Sequence, residues 1–205
     1  KDAESVAQTL KSRYGFDVTL LVDRDASRTA LITMFDSLSS LTPNDAVLIY
    51  YAGHGFYDKQ LDEGYWVPAD AHKKQGARYA KEDWLWNSMI AKMIAASPAR
   101  HILVIADSCY SGSLFRGGEM DEPGKSLQWY ARAAHAPSRY LITSGDLEPV
   151  LDSGIGHSIF ANEILNFLDY PVERVFAASD LALAVRQKVS ALTGQMVRMG
   201  PMAVA

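Results

Sequence analysis

Three observations predict an α/β fold, a three-layer sandwich with a mostly parallel central sheet flanked by helices. The runs "AVLIYYA" (46–52) and "HILVIAD" (101–107) are apolar without polar alternation, the pattern of strands covered on both faces of a parallel sheet. Apolar residues at helical spacing precede each run: Leu31, Met34, Phe35 and Leu38 before the first, Trp86, Ile90, Met93 and Ile94 before the second. Strands thus alternate with helices. No internal repeat or linker divides the 205 residues, so residues 1–205 are read as one domain, within the usual range of roughly 100–200 residues.

The first helix is read from Ala3, Val6, Ala7 and Leu10, with Gly15 as its stop. Phe16–Val22 is a β-rich run, and the polar stretch after it offers Ser27 or Thr29 as the N-cap of the second helix. "TPND" then makes the turn into "AVLIYYA". From Phe56 to about Glu82 the chain has no clear period and reads as a hairpin or long loop. A helix is expected over 84–96, closed by Pro98. "GGEMDEPGK" is a loop by composition, "RYLITS" a further strand, and two more helices start near Ser158 and Ser179. The second of these is read from Leu181, Val185, Val189 and Leu192. No strand precedes the first helix, and "GPMAVA" stops on an apolar run. The expectation is a domain cut at both ends from a larger protein, its first strand missing, with further domains in the parent chain.

Hydrophobic residues at 48% and charged residues at 21% are ordinary globular values. A net charge of -4 without clustered Lys or Arg argues against nucleic acid or an anionic membrane as partner. No apolar run approaches the roughly 18 residues of a spanning helix. The single cysteine, Cys109, excludes an internal disulfide framework and a cysteine-rich zinc site. It fits a reducing compartment, and with no signal peptide the expected location is cytoplasmic. His72, His101 and His135 match no motif, His157 stands beside Ser158 at a helix start, and all four are read as structural or exposed. Trp66, Trp84, Trp86 and Trp129 either line a cleft or pack.

Ligands of open α/β sheets bind beyond the carboxyl ends of the strands, and His54 and Cys109 each stand just past such an end. Small residues flank both: Gly53 and Gly55 around the histidine, Ser108, Ser111 and Gly112 around the cysteine. A thiol with an ordinary pKa near 8.5 is mostly protonated at neutral pH, and an imidazole beside it takes the proton or stabilises the thiolate. The thiolate attacks a carbonyl carbon, and the oxyanion needs donors already in place. The backbone N–H groups of Gly55 and Cys109 are the candidates.

"YYAGHG" and the later "ADSCYSGS" resemble the caspase and metacaspase superfamily of cysteine peptidases, in its bacterial caspase-like, metacaspase-type branch. A histidine about 50 residues ahead of the cysteine is a known caspase signature. The resemblance covers nearly the whole chain, with "KDAESVAQTL" like the helix after the first strand, "ITSGD" like the strand lining the substrate cleft and "GHSIFANEIL" like the next helix. It implies a Cys109–His54 dyad and a thioester intermediate, with no cofactor in the chemistry. Animal caspases carry Q-A-C-R-G at the cysteine; the stretch 107–112 here is similar to metacaspases. Caspases select aspartate with basic side chains, metacaspases arginine or lysine with acidic ones. In this chain Asp107, Asp2 and Asp146 match pocket positions, Asp146 standing where caspases place an arginine, and Ser144 lies in the cleft strand. All three charged positions are carboxylates, so the implied partner is a protein or peptide with Arg or Lys at the cleavage point. Asp2 also suits a helix start and Asp146 a turn. Calcium or self-cleavage as activator stays open. The rivals are a silent regulatory or scaffolding domain, which would ordinarily lack Cys or His, and a flavodoxin-like nucleotide module, for which no G-x-G-x-x-G or Walker loop exists.

Overall fold

The computed structural model describes residues 1–72, 80–108, 114, 125–145, 156–193 and 195–202. Helix α1 (Asp2–Tyr14) buries Val6 and Leu10 and ends at Gly15, whose left-handed φ of 71° turns its N–H back to the Leu10 carbonyl. Asp2 and Glu4 open the helix and Lys11 and Arg13 close it, which complements its dipole. Helix α2 (Arg28–Ser37) takes Ser27 as its cap, the hydroxyl oxygen accepting the Ala30 amide at 3.2 Å. Thr29 falls inside the first turn instead.

Strand β1 (Ala46–Ala52) leads through a turn into a three-stranded antiparallel sheet of β2 (Gly55–Asp58), β3 (Glu63–Trp66) and β4 (Leu85–Trp86). Helix α3 (Asn87–Ala96) follows, then β5 (His101–Asp107), α4 (Leu127–Ala133), β6 (Ser138–Thr143), α5 (Ile159–Asp169), α6 (Ala178–Thr193) and β7 (Arg198–Pro201). The central sheet has the order β1-β5-β6-β7, the first three parallel and β7 antiparallel to β6. This is the expected mostly parallel sheet between helical layers.

Side chains alternate across a strand, so the sheet separates two cores. One face carries Ile49, Ile102, Val104, Ala106 and Leu141 against Leu31, Phe35, Ile90 and Ile94 of α2 and α3. The other carries Ile105 and Ile142 against α1, α5 and α6, through Val6, Leu10, Phe160, Ile164, Leu181, Val185 and Val189. Helix α5 docks there because Phe160, Ile164 and Leu168 recur every four residues.

Several expectations are corrected. Phe16–Val22 forms no strand: it pairs with none among the described residues. β-forming residues become a strand only where a neighbour accepts and donates the ladder bonds. Here the side chains divide between the two cores instead, Phe16 on the α1 side and Leu21 on the α2 side. The helix expected from Trp84 begins at Asn87, because Leu85 and Trp86 pair with β3; Trp86 is 42% exposed, off the buried helical face. Leu192, in the last turn of α6, is exposed. Trp66 packs in the α2 and α3 core against Phe35 and Tyr51, Trp84 packs against Phe56 and Tyr65, and Trp129 lies beneath the Lys125 ammonium. Among the described residues, no helix is long and apolar enough to cross a membrane.

Candidate functional site

The turn that carries His54 is held from below by an aromatic stack. Tyr51, at the end of β1, lies on Trp66 of β3 with ring centroids 4.0 Å apart and planes 6° from parallel. Its hydroxyl donates to the His54 carbonyl at 2.8 Å, and the Val67 amide donates to the same oxygen at 3.0 Å. Burial pushes the Tyr51 hydroxyl well above its ordinary pKa, against the opposing bond to Val67, so it stays a donor. Gly53 is required by contact: a Cβ there would stand 2.7 Å from the Tyr51 hydroxyl. The His54 side chain itself is exposed. His54 and Val67 form a hydrogen-bonded pair, and antiparallel pairs alternate, so in the next pair, Gly55 with Trp66, the Gly55 N–H points away from β3.

The parallel register sets Ala52 beside Asp107, and the Gly53 amide reaches the Asp107 carbonyl at 3.4 Å. The turn after β1 and the end of β5 therefore share one sheet edge. Asp107 and Ser108 are buried, at 8% and 2% exposure. Cys109 and Asp146 lie outside the described residues. Ser144 continues the β6 ladder by donating its amide to the Ala106 carbonyl at 3.1 Å. Ile105 and Ile142 face the α1 side, so Asp107 and Ser144, each two residues further on, face it as well. Ser144 is fully buried, and its hydroxyl has no hydrogen-bond partner among the described residues.

Two helix starts bring further groups to this edge. Ser158, the cap of α5, donates its hydroxyl to the Asp107 carboxylate, and its amide donates to Asp2 Oδ2 at 3.3 Å. His157 Nδ1 meets Asp2 Oδ1 at 2.6 Å, and its Nε2 lies 3.3 Å from the Ser5 hydroxyl. An ionised carboxylate only accepts, so Nδ1 carries the proton. Tyr50, on the same face of β1, feels both carboxylates. Burial chiefly, then Asp107 and Asp2, push its hydroxyl far above the ordinary range. That hydroxyl too has no partner among the described residues. The result is two acidic groups linked through Ser158, beside buried hydroxyls that no described residue satisfies. Such an arrangement can receive a cationic, hydrogen-bonding group.

Of the positions expected from sequence, the structure thus groups Asp2, Asp107 and Ser144 at the sheet edge that also bears His54 and Gly55. His157, Ser158 and Tyr50 were not anticipated there. Ser158 carried only the signal of a helix cap. His157 carried only its place at a helix start, yet it bonds a carboxylate 155 positions away in the chain. Among the described residues no group of three or more His, Cys, Asp or Glu could hold a metal ion.

Metacaspase-1 of Schizosaccharomyces pombe is 29% identical over 167 residues, which cover 71% of this chain and 38% of that protein. The chain therefore spans well under half the length of that relative. The sequence model of the caspase domain matches residues 1–202, and the strand ends it covers carry the histidine turn and the acidic edge described above. On that match, over almost its whole length, the chain belongs to the caspase family of cysteine peptidases.

Proposed function

We propose that this domain is a cysteine endopeptidase that cleaves after Arg or Lys, with Cys109 as nucleophile and His54 as general base and acid. The observation that carries the specificity is the pairing of Asp107 and Asp2 through Ser158 at the edge where the His54 turn emerges. A guanidinium or ammonium entering there exchanges water for carboxylates and for the buried hydroxyls of Ser144 and Tyr50, which have no partner among the described residues. An acidic substrate side chain would meet like charge.

In the chemical step the Cys109 sulfur, its proton passed to His54, bonds to the scissile carbonyl carbon. The oxyanion takes hydrogen bonds from the Gly55 and Cys109 amides. The carbon–nitrogen bond then breaks, His54 returns the proton to the departing amine, and a thioester remains. Water, deprotonated by His54, adds to the thioester; the carbon–sulfur bond breaks, His54 returns the proton to the Cys109 sulfur, and the acid leaves. The stacked, doubly hydrogen-bonded His54 turn supports this role, since it fixes the backbone beneath the imidazole.

The test is release of a reporter amine from peptides that differ only in Arg, Lys or Asp at the cleavage position, with and without calcium. Cleavage after Arg or Lys, abolished in Cys109→Ala and in His54→Ala, is expected. Preference for Asp would contradict the acidic pocket.

A further inference from the structure

We infer that His157 is a positioning residue for substrate selection, holding Asp2 through Nδ1 so that the second carboxylate oxygen stays on the Ser158 side, toward Asp107. The inference rests on the proposed preference for basic residues and extends it to a side chain outside the chemical step. Nδ1 and Asp2 Oδ1 are 2.6 Å apart, and each side chain is about one-fifth exposed. An aspartate on the first turn of α1 can occupy more than one staggered rotamer unless something selects one. His157 fixes one oxygen, and the Ser158 amide fixes the other at 3.3 Å. Ser5, one turn along α1 from Asp2, steadies the far side of the ring through Nε2 at 3.3 Å. The imidazole is therefore gripped at both nitrogens by α1 while its backbone belongs to the start of α5.

Ser158 links the two carboxylates: its amide reaches Asp2 and its hydroxyl reaches Asp107. Displacing Asp2 would open the acidic pair from one side. The fully buried Ser144 hydroxyl, unpartnered among the described residues and on the same face, is an independent sign that a polar group is received here. His157 so placed would act on recognition of the cation and leave bond cleavage largely untouched. Asparagine, whose amide N–H₂ can stand in for Nδ1–H, should replace it; alanine should not.

The experiment combines calorimetric titration of agmatine, a guanidinium without a scissile bond, with kcat and KM for an Arg-containing peptide amide. It uses the full chain as wild type, His157→Ala, His157→Asn, Asp2→Asn and the double variant Asp2→Asn/His157→Ala. His157→Ala is expected to weaken agmatine and raise KM by about tenfold, the scale of one hydrogen bond to a charged group. His157→Asn should recover most of that loss, kcat should change little, and in the Asp2→Asn background His157→Ala should add nothing. Equal agmatine affinity in wild type and His157→Ala, with cleavage after Arg intact, overturns the positioning role and leaves the proposed function standing. An undiminished effect of His157→Ala in the Asp2→Asn background overturns it too. Wild type that neither binds agmatine nor cleaves after Arg removes both readings. Thermal unfolding of each variant guards against misfolding, and the asparagine variant carries the test if alanine is unstable.

Discussion

Ser158 ties Asp107 to the start of α5: its hydroxyl donates to the Asp107 carboxylate while its oxygen accepts the Ala161 amide at 2.9 Å. One side chain thus caps a core helix and fixes an acidic group at the end of β5. Ser158→Ala should lower stability by about 1 kcal/mol through the lost cap alone, and should also raise KM for an Arg substrate because Asp107 loses its anchor. Ser27→Ala supplies the control. It removes the cap of α2, on the other side of the sheet, so melting should shift while KM stays unchanged.

The His54 turn depends on the Gly53 contact with Tyr51. In Gly53→Ala the new methyl meets the Tyr51 hydroxyl at 2.7 Å, and the stack on Trp66 leaves that ring no retreat. Displacement of His54 by about 1 Å would cost on the order of a hundredfold in kcat, with far-UV circular dichroism unchanged. Tyr51→Phe is milder. It keeps the stack and removes the bond to the His54 carbonyl, a loss of about 0.5–1.5 kcal/mol, read as a smaller fall in kcat.

A clasp between α4 and α6 sets an acid limit on stability. Lys125, 5% exposed, bonds Asp180 at 2.9 Å and the Ser179 hydroxyl, and lies 4.8 Å above the Trp129 ring. Burial pushes the Asp180 carboxyl up, but the Ala177 amide, Lys125 and Tyr130 outweigh it and hold the pKa below the usual carboxylate value. A depressed folded pKa contributes stability that is present above the unfolded value, about 3.9. The contribution disappears as pH falls through the lower folded value. Melting temperature measured from pH 6 down to pH 2 should therefore drop less steeply at the acid end in Asp180→Asn than in wild type. An identical slope would mean that the clasp contributes nothing.

The sequence made some of this visible and hid the rest for identifiable reasons. Strands β1 and β5 were legible because "AVLIYYA" and "HILVIAD" must be apolar on both faces, a local requirement written in local residues. Helix α5, expected to start near Ser158, is written just as locally, its buried Phe160, Ile164 and Leu168 recurring at helical spacing. It misread Phe16–Val22, because strand formation depends on a neighbour that composition does not reveal. The turn at Gly53-His54-Gly55 was visible as a motif, whereas its support by Tyr51 on Trp66 depends on hairpin register. His157 was opaque for a stronger reason: its meaning is the bond to Asp2, made between the first residues of α1 and the residue before the cap of α5. No periodicity links two positions 155 apart in the chain.

The proposed activity of the edge bearing His54, Asp107 and Asp2 is cleavage of peptides after basic residues. Its most direct test is kcat/KM on two peptide amides identical except for Arg or Asp at the cleavage position, with wild type and Cys109→Ala compared side by side. Cleavage after Arg by wild type, none after Asp, and none of either by Cys109→Ala are expected. Faster cleavage after Asp, or cleavage after Arg that survives in Cys109→Ala, would contradict it.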